Sequence, residues 1–228
     1  MPDTLALRTR SAGGGKTRWF RPSADPRNHY IPQMEWAKDS QAVVFQQLNR
    51  LQNTNQVIRG NPKNGHMQVL LTDRDDAWVE GVEQWHWLEN GKRFLWLSER
   101  DGWQHLYAVT CTNRQMTLLT PGAFDVISIA GLDEKLGCVY FLASPDNPTQ
   151  RYLYRAPLDG RGQVERVSPQ DQPGGHSYEM SKDGRWAFHT YSRFGQPPVI
   201  ELVRLPEHKV IRVLADNATL RAKLAELK

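Results

Sequence analysis

The sequence predicts an all-β protein made of about four four-stranded antiparallel blades of a larger β-propeller, with a short C-terminal helix. Three observations carry this reading. The 228 residues include 17 Gly, 14 Pro and eight Trp, a composition of many short strands joined by turns. Hydrophobic residues make up 39%, enough for a buried core. Above all, the chain repeats itself at a blade's length.

The repeat lies in the segments 36–45, 87–96, 132–141 and 180–189, each with a polar turn between two apolar strand ends. Anchored on Ser40, Gly91, Gly137 and Gly184, its spacing is 51, 46 and 47 residues. Asn90-Gly91 and Asp183-Gly184 are dipeptides of two-residue hairpins, whose central positions both need positive φ. Each turn therefore joins a first strand to a second. Third strands are expected at 56–59, 105–110, 151–155 and 199–204, and fourth strands at 68–72, 115–120, 164–168 and 209–214. Turn formers separate third from fourth in every repeat. A four-stranded sheet with two apolar faces is marginal alone, so blades stack and cover one another. The same pattern could build a β-sandwich, and regular repetition favours the propeller.

The expected organisation is a poorly ordered lead-in over 1–32, blades at 33–73, 79–121, 125–169 and 175–215, and a helix over 218–228. Ser-Ala-Gly-Gly-Gly-Lys marks the lead-in, whereas Leu220, Leu224 and Leu227 at helical spacing mark the tail. Asp216 or Asn217 is the expected N-cap.

Net charge is +4, but cations are interspersed with anions and no run of like charges marks a nucleic-acid arm. Nucleic acid is not an expected partner. Cys111 and Cys138 form no CxxC pair, and the seven His include no H-x-x-x-H pair, so neither disulfide, metal nor other cofactor is expected. Residues 1–10 hold no apolar core of signal-peptide length, and no stretch approaches the ~18 apolar residues of a membrane span.

Three landmarks then carry a resemblance: Asp25-Pro-Arg-Asn-His-Tyr-Ile-Pro-Gln-Met-Glu-Trp36, Leu48-Asn-Arg-Leu-Gln-Asn53, and Phe94-Leu-Trp-Leu-Ser-Glu-Arg-Asp-Gly-Trp-Gln-His-Leu-Tyr107. Over roughly residues 18–228 the chain resembles the N-terminal propeller domain of the dipeptidyl peptidase IV family of serine peptidases, bacterial type. Such enzymes carry an eight-bladed propeller over an α/β-hydrolase domain and release dipeptides from N-termini. The resemblance implies that this chain is a non-catalytic share of that propeller, with the hydrolase domain and, through it, peptide substrates as partners. It also implies a periplasmic or envelope setting for bacterial parents. Asn49, Arg50, Ser98, Glu99, Arg100, Asp101, Gly102, His105 and Tyr107 are the family-motif residues, and their expected role is structural.

No catalytic residue is expected. A hydrolase nucleophile needs a G-x-S-x-G elbow, and Gly175-His-Ser-Tyr-Glu179 has Glu at the second Gly. The family's paired glutamates for the substrate amine have no Glu-Glu counterpart here. Gly13-Gly-Gly-Lys-Thr17 lacks the first Gly of a phosphate loop.

Arg100 in Ser98-Glu-Arg-Asp-Gly102 could clamp a carboxylate, but a blade turn in which Asp101 and Glu99 hold Arg100 is the expectation. His105 and His86 read as packed side chains rather than ligands. The Trp cluster at 78, 85, 87, 96 and 103 reads as filling between blades. By position in the family, Trp78 and Glu80 are the residues expected to line a substrate chamber. A free-standing, propeller-like protein-interaction module is the alternative, and its uncovered blade faces would form a homodimer.

Overall fold

The computed structural model describes residues 7–22, 27–83 and 85–226. Its first hairpin pairs β1 (Leu7–Thr9) with β2 (Arg18–Phe20). The first sheet follows, with β3 (His29–Tyr30) and β4 (Met34–Trp36) both against β5 (Val43–Asn49), then β6 (Thr54–Gly60) and β7 (Met67–Arg74). Pro32 lies in the gap between β3 and β4, where its missing N–H would interrupt a continuous ladder.

Three more four-stranded sheets succeed it. The second contains β8 (His86–Leu88), β9 (Arg93–Ser98), β10 (His105–Thr110) and β11 (Met116–Leu118). The third contains β12 (Val126–Asp133), β13 (Cys138–Ala143), β14 (Tyr152–Pro157) and β15 (Glu165–Arg166). The fourth contains β16 (Gly175–Met180), β17 (Trp186–Arg193), β18 (Gln196–Arg204) and β19 (Lys209–Ala215), followed by the helix α1 (Ala218–Ala225). Each sheet is a meander of chain neighbours, the all-β blade architecture read from the sequence.

The repeat is visible in the register. Trp36 opposes Val43, Trp87 opposes Phe94, Leu132 opposes Val139 and Met180 opposes Ala187, each pair seven residues apart. The anchors of the repeat all turn with positive φ: Ser40 at 56°, Gly91 at 90°, Gly137 at 67° and Gly184 at 70°. Asn90 shares this conformation at 53°. At the last hairpin only Gly184 of the dipeptide does, and neither dipeptide forms the expected two-residue turn: Leu88 pairs with Arg93, and Ser181 N–H bonds Trp186 C=O at 2.8 Å, so each loop has four residues.

The chain divides into two compact units, residues 1–100 with 108–116, and residues 101–107 with 117–228. In the first, Val44, Val57, Leu70 and Leu71 pack on Phe94, Trp96, Val109 and Cys111. In the second, Tyr140, Leu142 and Leu153 pack on Ala187, Val203 and Leu205. β13 is buried at all six positions and reads as a continuous apolar run, as a strand covered on both faces must. β17 instead alternates, with Trp186 and Phe188 exposed and Ala187 and His189 buried, the pattern of a sheet covered on one face.

Three of the strands, β1, β2 and β3, fall inside 1–32, the stretch expected to be poorly ordered. Phe20 from this stretch is fully buried and packs with Leu7, Val43, Phe45 and Ile58 on the first sheet. Asn217 stands at the N-cap position of α1, yet its side-chain amide donates to Pro198 C=O at 2.7 Å, while Ala218 N–H bonds Asp216 Oδ1. Leu220 on α1 is exposed, and Leu227 of the same stripe lies outside the described residues. None of the described helices is long and apolar enough to cross a membrane.

Candidate functional site

The loop after β7 presents Trp78 and Glu80 together. Asp75 Oδ1 accepts the backbone N–H of Ala77 at 2.7 Å and of Trp78 at 3.2 Å, an Asx turn that lifts the indole outward. Trp78 is 48% exposed, and its Nε1–H donates to Glu80 Oε1 at 3.0 Å. The pair offers an apolar plane edged by a carboxylate.

Side-chain amides of the first sheet hold this loop in place. Gln46, fully buried in the middle of β5, accepts from Val82 N–H at 2.9 Å and donates to Val82 C=O. Asn55 on β6 donates to Gln46 Oε1 at 2.9 Å, and Gln33 donates to Glu83 C=O at 3.0 Å. Val79 N–H reaches Gln52 C=O at 2.7 Å. Gln46 and Asn55 were not among the residues singled out from the sequence. Their signal was present, since two glutamines interrupt an apolar strand at Val43-Val-Phe-Gln-Gln-Leu48, and a buried amide must find partners.

The family-motif residues form local structure. Asn49 Oδ1 accepts from the N–H groups of Asn53 and Thr54, closing the turn between β5 and β6. Arg50 donates to Tyr30 Oη at 2.9 Å and lies over its ring. Arg100 donates to Ser98 Oγ, to Thr72 C=O and to Asp73. Asp73, buried at the end of β7, also accepts from Trp96 Nε1 and from Ser98 Oγ at 2.8 Å. Asp73, which local sequence did not single out, is thus a carboxylate partner of Arg100, where the expectation named Asp101 and Glu99.

Asp101 turns to other donors. Its Oδ2 meets His105 Nδ1 at 2.8 Å and accepts from Tyr107 Oη–H at 3.0 Å, while His105 Nε2 faces Gly122 C=O at 3.0 Å. Burial alone would raise the Asp101 carboxyl, but the hydrogen bonds from His105 and Tyr107 outweigh it and lower its pKa. Gly102 follows at φ 96°, a conformation that favours glycine, and Glu99 is exposed. His86, between two tryptophans, has its pKa lowered by burial.

Ser177 of the near-elbow sequence lies within β16, paired with Thr190 in an ordinary ladder rather than on a strained turn. Gly13-Gly-Gly-Lys-Thr17 lies in the connection between β1 and β2. Among the described residues no group of three or more His, Cys, Asp or Glu is placed to hold a metal ion.

The chain matches the family model described as the dipeptidyl peptidase IV N-terminal region over residues 4–198. Dipeptidyl peptidase 4 of Arthroderma otae is 25% identical over 207 residues, covering 87% of this chain and 26% of that protein. Dipeptidyl peptidase 4 of Trichophyton rubrum is 23% identical over 214 residues, covering 90% and 27%. Crystalline dipeptidyl peptidase 4 of Porphyromonas gingivalis superimposes with a TM-score of 0.85 at 25% identity, covering 97% of this chain and 31% of that one. The chain thus spans about a quarter of the length of the curated relatives it matches.

Proposed function

This chain belongs to the dipeptidyl peptidase IV N-terminal region family, and from that premise we propose that it is the non-catalytic propeller portion of a dipeptidyl peptidase IV-like serine aminopeptidase. The match over residues 4–198 carries this reading. The portion walls a substrate chamber, restricts entry to slender peptides and docks on the α/β-hydrolase domain of the parent enzyme.

Trp78 and Glu80 are the chamber residues in this proposal. The Trp78 indole suits an apolar side chain or a prolyl ring, and Glu80 suits a backbone or amino donor. Support comes from the buried Gln46 amide, which fixes the loop by two bonds to Val82 and so sets the aromatic plane before any peptide arrives. The remaining family-motif residues, from Asn49 to Tyr107, hold blade turns.

Two measurements test the proposal. The purified chain should show no hydrolysis of a glycyl-prolyl chromogenic substrate, and robust turnover that co-purifies with it would refute the non-catalytic role. Proline-containing tripeptides should quench indole fluorescence in the wild type but not in Trp78→Ala, and a quench unaffected by that change would remove Trp78 from the peptide path.

A second reading is favoured by Trp186 and Phe188, which are 37% and 50% exposed on one face of the fourth sheet. On this reading the chain is a free-standing interaction module that self-associates through such faces. Light scattering that gives a monomer at all concentrations eliminates it.

A further inference from the structure

A line of buried polar side chains crosses the fourth sheet, far in sequence from Trp78 and Glu80. His176 on β16 and His189 on β17 are both fully buried. His176 Nε2 faces Gln172 C=O at 2.8 Å, His176 Nδ1 faces His189 Nε2 at 2.9 Å, and His189 Nδ1 faces Glu201 Oε2 on β18 at 3.2 Å. The two rings are within 9° of parallel with centroids 5.1 Å apart. Their nitrogens approach more closely than the ~3.5 Å of stacked atoms, so the rings meet edge to edge, as an in-plane N–H···N bond requires.

The protons along this line can be counted. A carbonyl only accepts, so His176 Nε2 carries hydrogen and, in the neutral ring, Nδ1 does not. His189 must then donate from Nε2, which leaves its Nδ1 as a bare acceptor facing Glu201. One proton remains to fill the last gap. We propose that Glu201 supplies it as a neutral carboxylic acid, and that His176, His189 and Glu201 form a closed line, one proton to each hydrogen bond, that locks three strands at neutral pH and opens in acid. This inference is independent of the peptidase reading.

The surroundings oppose any second charge. Tyr152 of β14 packs on His176, and the Arg166 guanidinium of β15 lies 3.6 Å from the Tyr152 ring centre. Tyr178 of β16 stacks on His189, and Tyr191 of β17 flanks both rings. His208, in the turn before β19, stands edge-on to His189, ring centres 4.7 Å apart, and its Nε2 meets Tyr178 Oη at 2.9 Å, with its Nδ1 buried. Burial, opposed by the hydrogen bond to Gln172 C=O and aided by the charges of His208 and Arg166, lowers His176 to about 4. Burial, then His208 and His176, lowers His189 to about 3, burial lowers His208, and burial raises Glu201.

The sign follows. Unfolded histidines bind protons near the ordinary value of about 6.5 while the folded ones do not, so the unfolded state gains protons first. Between that pH and about 4 the two histidine protons gained by the unfolded state outnumber the one that folded Glu201 holds, so stability is lost as pH falls, whereas above it the Glu201 proton alone makes stability decline as pH rises.

The test uses the full chain with labelled histidine. At pH 7, nitrogen-detected NMR should show His176 and His189 each protonated at Nε2 alone. Infrared spectra should show a protonated carboxyl band that disappears in Glu201→Gln, whose amide can still donate to His189. That variant should keep its urea midpoint at pH 7. A doubly protonated His189 in the wild type, or a tenfold or greater loss in the folding equilibrium of Glu201→Gln at pH 7, overturns the proposal in favour of a buried ion pair. Should the variant fail to fold, the wild-type tautomers alone decide.

Discussion

Asp73 shows what a single buried carboxylate does in this fold. Its oxygens receive an indole N–H, a hydroxyl and a guanidinium from Trp96, Ser98 and Arg100, and thereby tie β7 to the strand and turn that follow β8. Asp73→Asn keeps the shape but replaces one acceptor oxygen with a donor and removes the charge facing Arg100. We expect a loss of about 2–4 kcal/mol, because the Trp96 N–H and Ser98 O–H, which are buried, are left with one acceptor oxygen between them. Glu165→Gln, in the half-exposed pair with Arg155, should cost less than about 1 kcal/mol. Urea midpoints for the two variants measure the contrast, and equal midpoints would remove Asp73 from this role. Arg100 was legible in the sequence as a motif residue, but its partner stands 27 residues earlier on another sheet. Nothing in Leu71-Thr-Asp-Arg74 marks that distant contact, since side-chain pairing across sheets leaves no local period.

At the scale of elements, the four hairpins were legible because their turns are governed by local chemistry. A residue at positive φ must be Gly, or a polar residue such as Ser40, and the flanking apolar pairs fix the register. Fourth strands were less legible: β11 and β15 have only three and two residues, because edge strands need few ladder bonds. The β1–β2 hairpin was the element least visible, since its three-residue strands flank a glycine-rich turn. Its worth lies in one contact. Phe20 is fully buried over Gly60, where an added Cβ would come within 2.6 Å of the ring. Phe20→Ala should therefore cost about 3–5 kcal/mol and uncover Val43, Phe45 and Ile58. Gly60→Ala should push the ring away and show the same phenotype. Limited trypsin digestion checks this: both variants should be cut at Arg8, Lys16 or Arg18 well before the wild type, and unchanged cleavage kinetics would mean that the hairpin does not cover the sheet.

For the whole molecule, the blade architecture was legible because a repeat multiplies weak local signals, whereas no repeat announces the two compact units or the line of histidines. The two cysteines happen to report on the units separately. Cys111 is 6% exposed in the core with Trp96 and Val109, and Cys138 is 7% exposed in the core with Tyr140 and Leu153. Burial pushes the Cys111 thiol up to about 11 and raises that of Cys138 as well. The thiolate is the reacting species, so the raised pKa and exclusion of the reagent both slow Cys111. In Cys138→Ser the remaining thiol reads the first unit, and in Cys111→Ser it reads the second. Both single-thiol proteins should react with an aromatic disulfide reagent at least about 100-fold more slowly in buffer than in urea. Stoichiometric reaction of either thiol within seconds in buffer would mean that the core around it is open, and that the sheets of that unit do not cover one another as described.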